Sequence, residues 1–292
     1  MSHKRSLTLQ PSWTRSAVRC SPWSGISSSM PRSWGSPHPA GCGWPRSGPR
    51  RPPRPELTRT VISLGTRWQS GLHHPVSVYA KQVTQGRLRE LCCKYEILAC
   101  QRHLDDLKRQ GTEGFPWVFD ATRANRIIRW FGQCIQVRGV DAGKPIVPEP
   151  WQVFDLGCTY GWVHKDTGAR RFTHTYNKRA RGNYKSSEKS CQGLYHMCGD
   201  ACYPPYRPEL ARFELEPEVE CAAVDRGQAM RVLGDAKKIA LKSPNIAKRL
   251  LVPRSNPIVH RTRGGYMRAL SKDTKNKDSG APCYFVVDEY HA

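Results

Sequence analysis

The chain has 292 residues and a formal net charge of +23 at neutral pH. Its length allows one large domain or two small ones, and its charge favours a polyanionic partner, above all nucleic acid. The apolar runs all fall short of the ~18 residues needed to span a membrane, and the N-terminus lacks the apolar core of a signal peptide. A soluble or peripheral protein is therefore expected, and its twelve cysteines should be reduced thiols.

Residues 1–72 differ in composition from the rest of the chain. They are crowded with Ser, Pro, Arg, Gly and isolated Trp, and Glu56 is their only acidic residue. Because no helical or strand period of apolar residues is found, residues 1–75 are predicted to form a disordered basic arm. Three interpretations stay open: an arm that touches DNA, a tail without a role, and a segment translated from a wrong frame or start.

Residues 76–140 are predicted to form a helical region. The apolar spacing over Tyr79–Arg109 indicates one long helix or two shorter ones with a break at Gly86. Phe115–Phe119 is expected to be a loop with aromatic anchors. Asp120–Phe131 is expected to be a helix with Asp120 as its N-terminal cap.

Residues 141–292 alternate between strand and helix patterns, which predicts a mostly parallel α/β sheet flanked by helices. Gly168 is expected to turn a hairpin into a first central strand. The predicted strands of this region are Phe172–Tyr176, Glu218–Val224, Pro253–His260, Tyr266–Ser271 and Tyr284–Val287. The predicted helices are Ser186–Cys198 and Asp225–Leu241, with a short helix or turn at Ser243–Leu251.

The stretch Phe172–Ser187 has the layout of a phosphate-binding loop. A strand-like run leads into a basic loop that contains Gly182 and Asn183, and Lys185 and Ser186 then lead into the predicted helix. In such loops backbone N–H groups and the helix N-terminus cradle phosphates, Lys reaches the β/γ oxygens and Ser holds Mg²⁺. The two glycines of the strict motif fall here at Arg179 and Tyr184, so a basic surface turn is the alternative.

Two acidic residues follow the apolar run Tyr284–Val287. Since the carboxyl ends of parallel strands face the ligand crevice in such sheets, Asp288 is predicted to hold Mg²⁺ and Glu289 to polarise the attacking water. An acidic turn after a strand is the alternative. Gln152, upstream of the loop, could pair with both N6 and N7 of adenine, or could be a surface residue beside a core tryptophan.

From about Tyr79 to Ala292, these features together resemble the N-terminal part of the large terminase subunit of tailed bacteriophages. That subunit is the ATP-driven motor that packages DNA into proheads. The features that carry the resemblance are the helical region that begins YAKQV, the PWQ…GW stretch, the RGNYKS loop, the DRGQA stretch at Asp225–Ala229 and the final VVDEYHA.

The resemblance implies a P-loop NTPase fold with ATP and Mg²⁺ as cofactors. Arg181 lies four residues before Lys185, where the family commonly carries an arginine, and would stabilise charge on the γ-phosphate in the transition state. Tyr184 replaces the family's usual glycine. The resemblance further implies double-stranded DNA, a small terminase subunit and a portal protein as partners, a homo-oligomeric motor and the cytoplasm of a bacterial host.

The family normally continues beyond the acidic pair into more sheet and a nuclease domain. Because the sequence stops at Ala292, a truncated prophage gene without nuclease activity and with weak or no ATP hydrolysis is expected. Two other functions stay open. Asp288–His291 also spells the D-E-x-H box of a helicase, and the chain could be a non-enzymatic, basic nucleic-acid-binding remnant.

Overall fold

The computed structural model describes residues 71–180, 182–205, 207–223, 226–255, 257–270 and 280–288, apart from the side chains of Leu72 and Arg226. Nearly all of the predicted basic arm lies outside these residues. The described helices are α1 (Pro75–Gln85), α2 (Lys94–Arg109), α3 (Ala121–Phe131), α4 (Pro150–Gly161), α5 (Lys185–Cys198), α6 (Arg226–Lys242) and α7 (Pro244–Ala247), with short 3₁₀ turns at Gly71–His73, Arg89–Leu91 and Pro208–Leu210. The described strands are β1 (Trp117–Phe119), β2 (Trp162–His164), β3 (Glu218–Ala223), β4 (Leu250–Leu251), β5 (Ile258–His260), β6 (Tyr266–Ala269) and β7 (Tyr284–Asp288).

The first four helices and the antiparallel ribbon β1–β2 share one hydrophobic core. Helix α4 packs against α1 and α3 in this core. The close approach depends on Gly157, because a Cβ atom there would lie 2.2 Å from Val76 Cγ2. The helix that follows the predicted boundary at residue 140 therefore packs on the helices that precede it, and the division into regions 76–140 and 141–292 stays a prediction.

A buried histidine connects α1, α2 and β2. The Ser77 hydroxyl lies 2.8 Å from His103 Nε2, and the Trp162 indole N–H donates to His103 Nδ1 at 3.0 Å. Burial lowers the pKa of His103 to about 3, so the ring is neutral and its Nδ1 can accept the indole proton. This histidine occupies a core position that a search for apolar residues alone does not find.

Two local predictions for the helical region are confirmed. Helix α1 ends at Gln85 and is capped by Gly86, so the predicted break lies at the expected residue. The Asp120 carboxylate accepts hydrogen bonds from the backbone N–H groups of Thr122 and Arg123 and thereby caps α3.

Three expectations for this region were wrong or incomplete. Phe115–Phe119 is not all loop, because Trp117–Phe119 pairs with β2. The apolar spacing over Tyr79–Arg109 is not matched by burial throughout, since Tyr95 and Leu98 of α2 are exposed, whereas Cys100, His103, Leu104 and Leu107 face the core. Helix α4 was not predicted, although its start carries a proline and a capping box formed by Glu149 and Gln152.

The second core lies between a five-stranded sheet and helices α5 and α6. The strand order is β4-β5-β6-β3-β7, with β3 parallel to β6 and β7 and with antiparallel pairing across β4, β5 and β6. The α/β class is therefore confirmed, whereas the sheet is parallel only in the half that contains β3 and β7. Both parallel ladders place the carboxyl ends of their strands at one edge, near the start of α5.

The predicted strand Phe172–Tyr176 is wrong. The structure has a turn at Gly168, with φ of +70°, and an isolated bridge between Val163 and Arg170, which confirms the hairpin turn. Residues 172–180 then run without strand pairing. Phe172 packs against the guanidinium groups of Arg102 and Arg171, but residues 173–178 are exposed, so the alternation in this segment is not matched by alternating burial.

Candidate nucleotide site at the start of helix α5

The predicted Lys-Ser pair lies in the first turn of α5. Lys185 and Ser186 are its first two residues, and Gly182 and Asn183 lie exposed in the turn before it. A helix of 14 residues presents unpaired backbone N–H groups and a partial positive charge at its start, which favours a bound anion.

The structure brings Ser186 together with Asp288. The Ser186 hydroxyl donates a hydrogen bond to Asp288 Oδ2 at 3.3 Å, although the two residues are 102 positions apart in the chain. Asp288 is the last residue of β7 and pairs with Ala223 at the end of β3. A hydroxyl and a carboxylate, both oxygen donors of the kind that Mg²⁺ prefers, thus meet at the carboxyl end of the parallel strands.

Hydrogen bonds to α6 fix the start of α5. The Ser190 hydroxyl lies 2.7 Å from the carbonyl oxygens of both Ser186 and Val232. The Ser187 hydroxyl donates to Asp235 at 3.5 Å, and Arg138 forms an ion pair with the same carboxylate at 2.5 Å. Sequence reasoning missed this support because its members lie on three separate segments.

Gln152 lies on α4 and uses its amide within the protein. Its Oε1 accepts from the Glu149 backbone N–H at 2.9 Å, and its Nε2 donates to Glu188 Oε2 at 3.0 Å. Glu188 is buried in the first turn of α5 and also accepts from Gln192 at 3.1 Å. Gln152 therefore connects α4 to α5, and its predicted contact with adenine stays a prediction.

A cleft of about 1010 Å³ opens in front of these residues. Lys185 and Asp288 lie in its wall, together with the aromatic side chains of Trp151, Phe172 and Tyr176. The volume is of the size that binds small molecules and cofactors. The cleft thus combines two side chains of opposite charge with apolar surface that suits a planar ring.

A buried polar cluster lies beside the cleft. His196 stacks on Tyr284 at a centroid distance of 4.6 Å, its Nε2 lies 2.8 Å from the Tyr160 hydroxyl, and its Nδ1 lies 3.3 Å from Asp200. Burial lowers the pKa of His196 to about 4, although the Asp200 charge opposes this shift. In the described part of the chain no group of three or more His, Cys, Asp or Glu side chains is placed to hold a metal.

Three predicted features fall outside the described residues. They are Arg181, Glu289 and Asp225, the first residue of the DRGQA stretch. The predicted roles of Arg181 and Glu289 stay predictions.

Tyr184 adopts the backbone conformation that glycine would favour. It precedes α5 with φ of 52° and ψ of 23°, the left-handed region, and its side chain is half exposed. Left-handed backbone costs a non-glycine residue roughly 1–2 kcal/mol. Because the chain already holds this conformation, the cost falls on folding, and we expect the free energy of unfolding in a urea titration to be higher for Tyr184→Gly than for Tyr184→Ala.

The side chain of Tyr184 contributes as well, since its hydroxyl lies close to Gly139. Tyr184→Ala is the matched control, because alanine removes the ring but keeps the left-handed cost. Equal free energies of unfolding for Tyr184→Ala and Tyr184→Gly would contradict the backbone explanation.

Residues 150–292 match the family model of the terminase large subunit ATPase domain. Among solved structures, the crystal structure of the HK97 bacteriophage large terminase aligns with 21% sequence identity and a TM-score of 0.44, over 57% of this chain and 31% of that one. The chain thus spans about a third of the length of that terminase. A search of curated proteins gives no match.

None of the described helices has both the length and the apolarity of a membrane span.

The family match covers α4, the Lys185-Ser186 turn and β7, which are the elements that meet at the cleft. The resemblance inferred from the sequence is confirmed for these residues. Residues 150–292 belong to the family of terminase large subunit ATPase domains.

Proposed function

We propose that this chain binds ATP with Mg²⁺ at the start of α5 and hydrolyses it as part of a DNA-packaging motor. The observation that carries the proposal is the 3.3 Å contact between Ser186 and Asp288. Two residues expected to hold one metal ion, from segments 102 positions apart, would rarely meet by chance at the N-terminus of a helix.

The residues fit the two cofactors chemically. Mg²⁺ binds few protein oxygens and completes its shell with water and phosphate, so Ser186 and Asp288 suffice as its protein ligands. Lys185 would contact the β/γ-phosphates, and the N–H groups at the start of α5 would bind phosphate oxygens. The cleft beside Trp151, Phe172 and Tyr176 would receive the base and ribose.

Hydrolysis would need two further groups, for which the sequence offers Arg181 and Glu289. An arginine beside the γ-phosphate gains most as charge shifts in the transition state, and a carboxylate can accept a proton from the attacking water. Lys185, which meets the phosphates in the ground state, would then act mainly on binding.

The packaging role, double-stranded DNA, a small terminase subunit, a portal protein, homo-oligomeric assembly and action in the bacterial cytoplasm belong to the same proposal. They are supported by the family match and, for DNA, by the net charge of +23. DNA binding that rests on this charge should weaken steeply with added salt.

The test is the Mg²⁺ dependence of ATP binding. We expect Mg²⁺ to tighten the binding of a fluorescent ATP analogue to the wild-type chain, as measured by anisotropy. Asp288→Asn should lose most of this gain, because an amide oxygen carries no charge for the ion. Its affinity without Mg²⁺ should be unchanged or higher, since a charge that repels phosphate is gone.

Asp166→Asn is the matched control, because Asp166 is exposed in the turn after β2. It should respond to Mg²⁺ as the wild type does. An equal Mg²⁺ response in Asp288→Asn and Asp166→Asn would refute the metal site, and a wild-type chain that binds no ATP would refute the proposal as a whole.

A further inference from the structure

We propose that Arg179 is a positioning residue that anchors the phosphate loop to the helical region. The inference rests on the proposed function, since it concerns how the loop before α5 is held ready for ATP. In the strict phosphate-loop motif this position is a glycine, which could form no such anchor. The anchor would therefore be a property of this chain's own sequence.

Three side chains on two helices hold the Arg179 guanidinium. Its Nη2 donates to Asp155 Oδ2 on α4 at 2.6 Å, and its Nη1 lies 3.7 Å from Glu96 Oε2 on α2. The guanidinium also lies 4.4 Å from the ring centroid of Trp151, one turn before Asp155. Ion pairing in the plane of the guanidinium and stacking on its face together define one position for this side chain.

The ion pairs of Arg179 are largely shielded from solvent, which strengthens them. The side chains of Arg179, Asp155 and Glu96 are 22%, 23% and 17% exposed, whereas residues 173–178 immediately before Arg179 are exposed. Burial raises the pKa of Asp155, and the positive charge of Arg179 opposes that rise. Burial lowers the pKa of Arg179, but the charges of Asp155 and Glu96 outweigh it, so the pKa lies above its ordinary value.

The position of Arg179 explains why the anchor should act on the nucleotide. Five residues separate it from Lys185 at the start of α5. Fixing both ends of so short a segment reduces the number of conformations open to the free loop. The loop then loses less conformational entropy when it wraps around phosphates. Arg179 also lies in the wall of the cleft together with Trp151 and Lys185, so a displaced loop would change the cleft directly.

The experiment compares Arg179→Gln, Arg179→Lys and the control Lys165→Gln in the full chain. Lys165 is exposed in the turn after β2 and lies outside the cleft wall, so its variant removes an equal charge without touching the anchor or the cleft. We expect Arg179→Gln to raise the dissociation constant of a fluorescent ATP analogue about tenfold, with Arg179→Lys intermediate and Lys165→Gln close to wild type. A melting temperature recorded for each variant shows whether it is folded.

Chymotrypsin gives a second readout that needs no nucleotide. Tyr176 and Tyr184 flank Arg179 and are exposed, so cleavage after them reports how firmly the loop is held. Arg179→Gln should be cut faster than wild type and Lys165→Gln at the wild-type rate. Asp155→Asn should weaken ATP binding as well, and the double variant Arg179→Gln with Asp155→Asn should lose less than the sum of the two single changes.

The outcomes separate the two proposals. A wild-type chain that binds no ATP refutes the proposed function, while the chymotrypsin rates still judge whether Arg179 holds the loop. Wild-type affinity and wild-type cleavage in folded Arg179→Gln would overturn the inference. Strictly additive effects of Arg179→Gln and Asp155→Asn would overturn it too, because the pair would then act independently.

Discussion

Replacing Lys185 by alanine is expected to weaken ATP binding at least about tenfold, since hydrogen bonds to charged groups contribute roughly 1.5–3 kcal/mol. Lys185 is the first residue of α5 and lies in the wall of the cleft beside Asp288. Its ammonium group would meet the phosphates before any bond breaks, so the loss should fall on affinity. Titration with a fluorescent ATP analogue in the presence of Mg²⁺ measures it.

Lys238→Ala is the control for this prediction, because Lys238 is exposed on α6 and its removal changes the net charge equally. Arg181→Ala is the informative comparison, since an arginine that acts in the transition state should lower turnover and largely spare binding. Equal losses of affinity in Lys185→Ala and Lys238→Ala would mean that only the net charge attracts the nucleotide.

Replacing Gly168 by alanine is expected to destabilise the fold severely. Gly168 has φ of +70°, and a Cβ atom there would lie 1.9 Å from the Tyr203 carbonyl oxygen, which belongs to the backbone and cannot rotate away. The left-handed conformation costs roughly 1–2 kcal/mol, and the clash adds to it. The free energy of unfolding from urea titration should therefore fall by more than this conformational cost alone.

Gly114→Ala isolates the conformational part of that loss. Gly114 has a similar φ of +77°, but a Cβ atom there would meet nothing within 4 Å. The difference between the two variants is then the cost of pushing the hairpin turn away from Tyr203. Equal losses in both variants would mean that the backbone around Gly168 gives way freely.

Several elements of the site could be predicted from the sequence because their signals are local. The apolar run at Tyr284–Val287 became β7, which extends one residue further to Asp288, and the predicted helix Ser186–Cys198 became α5, which begins one residue earlier. The Asp120 cap acts within three residues of itself. An apolar run and a helix cap are both signals carried by neighbouring residues in the sequence.

The features that escaped prediction depend on partners far away in the chain. The alternation over Phe172–Tyr176 is typical of a strand, but no described strand pairs with it, and residues 173–178 stay exposed. The role proposed for Arg179 follows from its ion pairs with Asp155 and Glu96, which lie on helices much earlier in the chain. Gln152 offered an amide whose partner Glu188 is 36 residues away, and neither periodicity nor spacing indicates such a pairing.

The separation of Ser186 and Asp288 by 102 positions also has a consequence for how the protein folds. Helices α1 and α2 are neighbours in the chain, so they can pack after closing a short loop, whereas the ladder between β3 and β7 must close a much longer one. Contacts that close long loops form slowly. Ser186 and Asp288 should thus meet late in folding, and Mg²⁺–ATP bound between them would stabilise only the completed fold, since a ligand that binds the native state alone shifts the folding equilibrium toward it.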